Sequence, residues 1–336
     1  MSDLDHSLDR RSFVSALLAA AALPRRSWLG SLASEATLAR APRPTLGMNH
    51  VPPNAESFAL LKSLGITQVR STLYWANHLD DRSFTIDEIP VPKGTSGSHT
   101  IADWWALNTR AYIGAGLDLL VVVHTPPAGM TLAEGIKEMP TFLAARAKQF
   151  PGLRWQILNE MDAEDAWSNG WLRAKDKKIT QRRRGEMYGD LLAPVYDAIK
   201  TADPTATVVT AGIAGEPTEF YKGLVSRAPR KFDAVSVHVY GSPLALPFRE
   251  RSTAMRDLLG GKPLWCTETG FNTADDAEQT RQLTAIIDDN DVNRRYDRLY
   301  LYALTSDFAH GNNYGIVRPG RRLRGAAAML ARRIAG

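Results

Sequence analysis

Two glutamates, Glu160 and Glu268, stand where an apolar run of the sequence gives way to a loop. An ionised carboxylate at the end of a buried strand is costly unless it is paired, hydrogen-bonded or used in chemistry. Two such groups beside one scissile bond can divide the work of hydrolysis, with one as proton donor and the other as nucleophile or base. The sequence therefore predicts a paired-carboxylate catalyst, provided that the fold brings Glu160 and Glu268 together.

Strand-like and helix-like segments alternate from about residue 42 to the C-terminus. Eight apolar runs cover residues 45–49, 66–73, 117–124, 153–159, 207–211, 234–240, 264–268 and 299–304. This alternation predicts a parallel sheet, and eight units in roughly 290 residues have the size of a (β/α)8 TIM barrel. An open doubly wound sheet is the alternative, but residues 47–52 lack its glycine-rich phosphate loop. We therefore predict an α/β protein with one barrel domain over residues 42–336.

Several of the intervening segments carry helix signals. Asn54 is predicted to cap a helix that ends at Gly65, because apolar residues follow it at helical spacing. Further helices are predicted over residues 101–115, 185–202, 276–287 and 321–334.

Polar residues that close the strands are candidates for the site, because catalytic groups of such barrels lie at the C-terminal ends of the strands. They are Arg70 on the second strand, His124 on the third, Asn159 and Glu160 on the fourth, His238 and Tyr240 on the sixth, and Glu268 on the seventh. The fourth and seventh strands face each other across the barrel mouth. This placement allows two carboxylates to approach one bound sugar.

The chain after its first 41 residues resembles the retaining glycoside hydrolases of clan A, with families 39 and 5 the most similar. The resemblance rests on Asn-Glu at strand four, His-x-Tyr at strand six and Glu-Thr-Gly at strand seven. It implies that Glu160 is the acid/base, that Glu268 is the nucleophile, and that Asn159 bonds the 2-hydroxyl of the cleaved sugar. A retaining mechanism implies carboxyl groups about 5 Å apart.

The same resemblance implies that Tyr240 and Arg70 hold the nucleophile ionised and that His124 and His238 surround the sugar. Each residue also has a structural interpretation. Arg70 can form a salt bridge inside the barrel, the histidines can be hydrogen-bonded scaffold, and the ring of Tyr240 can simply pack.

Aromatic residues after the strands are predicted to stack on sugar rings. They are Tyr74 and Trp75 after strand two, Trp167 and Trp171 after strand four, Phe271 after strand seven and Tyr314 after strand eight. Members of the clan usually end strand eight with a tryptophan, whereas this chain has Tyr302 there and Phe308 further on.

A basic run follows strand four and consists of Arg173, Lys175, Lys177, Lys178, Arg182, Arg183 and Arg184. Such a run is usually a solvated face, but beside the acid/base it can attract an anionic polysaccharide. The formal net charge of +5 comes without any nucleic-acid-binding motif, so we predict no nucleic-acid partner.

The N-terminal residues resemble a bacterial twin-arginine (Tat) export signal. Arg10 and Arg11 precede a weakly apolar stretch at residues 15–23, which is far shorter than the ~20 residues of a membrane span. We predict a leader over residues 1–41, recognition by the Tat export machinery, and a periplasmic or secreted protein. A surface amphipathic helix fits poorly, because alanine and leucine fill every face.

Two other functions are open. A metal-dependent hydrolase or deacetylase could use His50, His124, His238 and His310, but the chain has no His-Glu-x-x-His motif and a single cysteine, Cys266. A non-catalytic sugar-binding barrel is the second alternative. The prediction is an exported, endo-acting β-glycosidase that works by double displacement without a metal or other cofactor.

Overall fold

A parallel sheet of eight strands forms the centre of the protein. The computed structural model describes residues 44–75, 101–124, 126–127, 129–163, 171, 179–259, 261–306, 311–318, 320 and 322–335. The strands are β1 (Thr45–Asn49), β2 (Gln68–Tyr74), β3 (Asp118–His124), β4 (Arg154–Ile157), β5 (Thr207–Val209), β6 (Val235–Val239), β7 (Leu264–Thr269) and β8 (Arg298–Leu301). Their order in the sheet is β5-β4-β3-β2-β1-β8-β7-β6.

The two ends of this sheet, β5 and β6, meet through isolated bridges. Val209 pairs with Ala234 and Ile213 pairs with Val237, both in parallel orientation. The backbone N–H of Thr210 also donates to the carbonyl of Ala234 at 3.1 Å. The sheet therefore closes on itself, and the predicted (β/α)8 barrel is confirmed.

Helices lie between consecutive strands, with a last one after β8, and cover the outside of the barrel. They are α1 (Ala55–Ser63), α2 (Ile101–Gly114), α3 (Leu132–Gln149), α4 (Gln181–Ala202), α5 (Pro217–Arg227), α6 (Ala245–Leu258), α7 (Asp276–Asn293) and α8 (Gly325–Ala335). The predicted cap is confirmed, because the side chain of Asn54 accepts a hydrogen bond from the backbone of Ser57.

The last helix begins later than its sequence pattern predicts. Helix α8 starts at Gly325, and the residues before it form the short antiparallel strands β9 (Val317–Arg318) and β10 (Arg322–Leu323). Gly320 lies between these strands with φ of 72°, a conformation that favours a turn over a helix. The prediction of a helix from residue 321 is therefore wrong at its N-terminal end.

Alternation of side chains along the strands separates two apolar regions. One group fills the interior of the barrel and consists of Leu120, Val209, Ala234, Trp265 and Tyr300. The larger core lies between the barrel and its helices and receives outward-facing residues such as Val69, Leu73, Val121 and Val123. In the regular parts of the strands, the face that a side chain occupies therefore follows from its parity.

An ionic group closes the end of the barrel that carries the N-termini of the strands. Asp118 forms salt bridges with Arg154 and with Arg298, the latter at 3.0 Å. Burial, followed by the charge of Arg298, lowers the pKa of Arg154 to about 10. This face of the barrel therefore carries a stabilising ionic group, and the candidate site lies at the opposite face, where the strands end.

None of the helices in the described ranges combines the length and the apolar character that a membrane crossing requires. The predicted leader at residues 1–41 lies outside the described residues.

Candidate active site

Glu268 lies at the end of β7 and is held by two side chains. Its Oε1 accepts a hydrogen bond from Nη1 of Arg70 at 2.5 Å, and its Oε2 accepts one from the hydroxyl of Tyr240 at 2.9 Å. Burial alone would raise the pKa of this carboxyl. The electrostatic interactions with His238 and with Arg70, together with the Tyr240 hydrogen bond, outweigh burial and lower the pKa of Glu268 to about 2.

Arg70 is fixed by partners from three further positions around the barrel. Its Nε donates to Gln156 at 2.8 Å, its Nη1 to Asn49 at 3.0 Å, and its Nη2 to Asn159 at 2.7 Å. Only 5% of Arg70 is exposed, so these charge-assisted bonds form in a desolvated setting. Arg70 is therefore both a buried ion-pair residue and a partner of Glu268, because the ion pair that it forms is with Glu268.

Asn49 and Gln156 belong to the site although the sequence analysis did not select them. Asn49 closes β1 as the other candidates close their strands, so the rule of polar strand ends could have found it. Gln156 lies inside β4 and gives no comparable signal.

A bulge in β7 turns Glu268 toward the barrel mouth. Against β6, Val237 pairs with Cys266 but His238 pairs with Glu268, and β7 also has one extra residue relative to β8. Since Trp265 faces the barrel interior, regular alternation would direct Glu268 outward, toward the helices. The extra residue, Thr267, reverses this and sends the carboxylate inward.

Glu160 also depends on irregular backbone. It follows β4 with φ of 47°, and Leu158 before it has φ of 64°, both in the left-handed region. Each such non-glycine residue costs about 1–3 kcal/mol and persists only where the surroundings enforce it. The backbone N–H of Glu160 donates to the carbonyl of Gly212 at 2.9 Å, which anchors this turn to the end of β5.

His238 joins the two glutamates. Its Nδ1 lies 2.8 Å from Oε1 of Glu160 and 3.6 Å from Oε2 of Glu268, and its side chain is fully buried. One carboxylate oxygen of each glutamate and a ring nitrogen of His238 lie within 4.8 Å of one another. The fold therefore brings together the two carboxylates that the sequence predicts as a pair.

Glu160, His238 and Glu268 are also the group in the described part of the chain whose atoms could together hold a metal ion. Both oxygens of Glu268 already accept hydrogen bonds from Arg70 and Tyr240. A cation at this point would lie beside the Arg70 guanidinium, which opposes its binding. Of the histidines considered as ligands, only His238 belongs to this group, and His310 lies outside the described residues.

His124 lies at the end of β3, at the edge of the same site. Its ring is 5.8 Å from that of Tyr74, with the planes tilted by 59°. Burial, followed by the charge of Arg70, lowers the pKa of His124. A neutral imidazole at this position can donate and accept hydrogen bonds to a polar substrate.

Aromatic rings surround Glu268 on its other side. Tyr314 packs edge-on against Tyr240 and Tyr302, with 5.5 Å between centroids in each pair. Tyr302 also contacts His50 at 4.6 Å. Tyr302 thus stands at the end of β8, where the resembling enzymes carry a tryptophan, and Tyr314 from the following loop extends the same aromatic group.

Two of the predicted aromatic platforms are incorrect. Trp75 has no exposed surface and packs against Phe142 of α3, because it is an odd number of residues from the inward-facing Arg70 and therefore points outward. Trp171 is 5% exposed and lies against Gly135 of α3. Neither side chain is accessible to a sugar in this structure.

The other predicted sugar contacts and the basic run after β4 lie partly inside and partly outside the described residues. Phe271 is half-buried and packs on the edge of the core after β7. Trp167 lies outside the described residues. Of the basic run, Arg182 and Arg183 pair with Glu186, and Arg184 is buried and donates to the carbonyl of Asp162. Arg173, Lys175, Lys177 and Lys178 lie outside the described residues.

No protein-family model and no curated protein sequence matches this chain. Among solved structures, the β-glycosidase BGL167 superposes with a TM-score of 0.58 at 15% identity, over 83% of this chain and 84% of that one. The endoglucanase Cel5A from Thermotoga maritima gives 0.58 at 16% identity, over 85% and 96%. The glucosidase from Croceicoccus marinus gives 0.61 at 16% identity, over 86% and 66%. The chain shares the barrel fold of these glycosidases.

Proposed function

We propose that the protein is a retaining β-glycosidase in which Glu160 is the acid/base and Glu268 is the nucleophile. The observation that carries this proposal is the pair of carboxylates at the ends of β4 and β7, with one oxygen of each within 4.8 Å. The fold shared with solved β-glycosidases and endoglucanases supports the same reaction class.

The reaction proceeds in two displacements. Glu160 transfers its proton to the glycosidic oxygen while Oε of Glu268 attacks the anomeric carbon, so that the bond to the leaving sugar breaks and a glycosyl ester forms. Glu160, now a carboxylate, then removes a proton from water, which attacks the same carbon and releases Glu268. The low pKa of Glu268 suits this role, because a nucleophile must be ionised at the working pH.

The separation of the carboxylates favours retention of configuration. Inverting enzymes need about 6.5–9.5 Å between the two groups to accommodate a water molecule, whereas retaining enzymes need about 5–5.5 Å. A closest approach within 4.8 Å fits the shorter range. The product expected from a β-linked substrate is therefore the β-anomer.

The substrate proposal is a β-linked oligo- or polysaccharide cut in an endo mode. Both endoglucanase and β-glucosidase appear among the names of the structural neighbours, so the mode is tested by the length of the products. An anionic polysaccharide is the narrower proposal, and it rests on the basic run after β4. Arg182 and Arg183 remain half exposed despite their pairing with Glu186.

Export by the twin-arginine pathway is also proposed, from Arg10 and Arg11 alone. Replacing both with lysine in the full chain should retain the protein in the cytoplasm of a Tat-competent host. Equal amounts of exported protein for the parent and for this variant would contradict export by the twin-arginine pathway.

The test of the proposed function is digestion of a panel of β-glycans, followed by NMR of the first-formed anomer. Release of the β-anomer supports the proposal, and the α-anomer overturns retention. Loss of activity with a chelator and recovery with Zn²⁺ would favour the metal-dependent alternative. Binding of a glycan without turnover would favour the non-catalytic barrel.

A further inference from the structure

His238 has one bonded and one unbonded ring nitrogen. Nδ1 lies 2.8 Å from Oε1 of Glu160, whereas Nε2 is buried and has no hydrogen-bond partner in the described structure. A buried N–H without an acceptor is costly, and a bare ring nitrogen is the less costly way to leave an atom unpaired. The contact therefore favours the tautomer in which Nδ1 carries the proton and donates it to Glu160.

The backbone of Gly212 encloses the unbonded nitrogen. A Cβ at this position would lie 2.0 Å from Nε2, 2.4 Å from Cδ2 and 2.8 Å from Cε1 of His238. The ring is fully buried and cannot swing into solvent to make room. Only glycine at the end of β5 leaves space for the imidazole where it meets Glu160.

Gly212 also holds Glu160 directly. Its carbonyl accepts the backbone N–H of Glu160, and Asn159 pairs with it as an isolated bridge. Gly212 thus acts on both residues of the Glu160–His238 hydrogen bond. Its carbonyl bonds the backbone of Glu160, and the absence of a Cβ leaves space for the ring of His238.

We infer that Gly212 is a positioning residue for Glu160, because it fixes His238 as a donor from Nδ1. This inference rests on the proposed function, in which Glu160 is the acid/base. A donor at Nδ1 leaves the proton of Glu160 on its other oxygen, free for the leaving group. The same bond becomes stronger as Glu160 loses its proton, so it stabilises the transition state more than the ground state.

The test uses the dependence of rate on the leaving group. Glycosides with a 2,4-dinitrophenol leaving group need little proton donation, whereas 4-methylumbelliferyl and saccharide leaving groups need more. Gly212→Ala should lower kcat/KM about 10- to 100-fold more for the poor leaving groups than for the activated one. Glu160→Gln should show the same pattern more strongly.

Gly47→Ala is the matched control. It also adds a Cβ inside a buried strand, 2.4 Å from the ring of Tyr300, but Tyr300 makes no contact with Glu160 in the described structure. We expect Gly47→Ala to affect both substrate classes by the same factor. An equal effect of Gly212→Ala on both classes, or no effect, would overturn the inference. Failure of the parent to cleave any substrate would instead overturn the proposed function.

A second pair of variants keeps the test valid if Gly212→Ala does not fold. The amide nitrogen of asparagine replaces Nδ1 of histidine in space, and that of glutamine replaces Nε2. His238→Asn should retain a leaving-group dependence within about threefold of the parent, whereas His238→Gln should resemble Glu160→Gln. The reverse order would show that Nε2, and not Nδ1, is the nitrogen that matters.

Discussion

Nη1 of Arg70 donates to Oε1 of Glu268 across 2.5 Å, and this contact joins the second and seventh strands at the mouth of the barrel. The guanidinium has three other hydrogen-bond partners, so its position does not rest on Glu268 alone. A fixed positive charge beside a buried carboxylate keeps that carboxylate ionised at the pH at which a nucleophile must act.

Arg70→Gln should remove the positive charge beside Glu268 together with the hydrogen bonds of the guanidinium. We expect kcat to fall about 100- to 1,000-fold. Because the pKa of Glu268 should rise toward its usual range, the acid limb of the kcat/KM profile should move to higher pH. Steady-state kinetics between pH 3 and pH 8 test this, and an unmoved acid limb would show that Arg70 does not control the ionisation of Glu268.

Replacing Glu268 with Gln should change the pH dependence of stability. The pKa of Glu268 is about 2 in the folded protein, whereas its usual value, taken for the unfolded chain, is 4.5. The ionised carboxylate therefore stabilises the folded state above pH 4.5, and this stabilisation is lost as the pH falls toward 2. The difference corresponds to about 3 kcal/mol. We expect the difference in the free energy of unfolding between the parent and Glu268→Gln, measured with urea, to shrink by about this amount between pH 6 and pH 2.5. A difference in the free energy of unfolding that does not change with pH would contradict the low pKa of Glu268.

Tyr240→Phe should remove the hydroxyl that bonds Oε2 of Glu268. A hydrogen bond to a buried charge is worth enough to lower kcat/KM about 10- to 100-fold. Tyr314→Phe is the matched control, because the ring of Tyr314 packs on Tyr240 at 5.5 Å while the bond to Glu268 comes from Tyr240. Similar losses in both variants would show that the effect is not specific to the hydroxyl of Tyr240 and its bond to Glu268.

Trp75 should contribute to stability and not to substrate binding. Truncation of this fully buried ring to alanine should lower the free energy of unfolding by about 3–5 kcal/mol. The milder Trp75→Phe should leave KM within about twofold of the parent. A large rise in KM with unchanged stability, measured by urea unfolding, would restore Trp75 as a sugar contact.

Residue type and strand position were enough to select Glu160, Glu268 and Arg70, because polar residues that close apolar runs share one face of a barrel. The direction in which each side chain points was harder to predict from the sequence. Trp75 follows directly after β2, but its parity relative to Arg70 sends it into the helix layer. Applying the two-residue alternation along β2 would have kept Tyr74 and excluded Trp75 as a predicted sugar contact.

The direction of Glu268 could not be read from alternation. Regular pairing would turn Glu268 outward, and only the extra residue in β7 returns it to the mouth. At the end of β4, Gln156 and Asn159 both bond Arg70 although they are an odd number of residues apart, and left-handed backbone at Leu158 and Glu160 accompanies this break in alternation. Bulges and strained dihedrals depend on neighbouring strands that are distant in the sequence, so a local pattern does not encode them.

The most direct test of the central claim is the reaction of Glu268→Ala with azide and a 2,4-dinitrophenyl β-glycoside that the parent cleaves. Azide can occupy the space of the missing carboxylate and attack the anomeric carbon from that side. We predict that azide restores turnover and that the product is the α-glycosyl azide, while Glu160→Ala gives the β-glycosyl azide. A β-glycosyl azide from Glu268→Ala, or no rescue at any azide concentration, would contradict the assignment of Glu268 as the nucleophile.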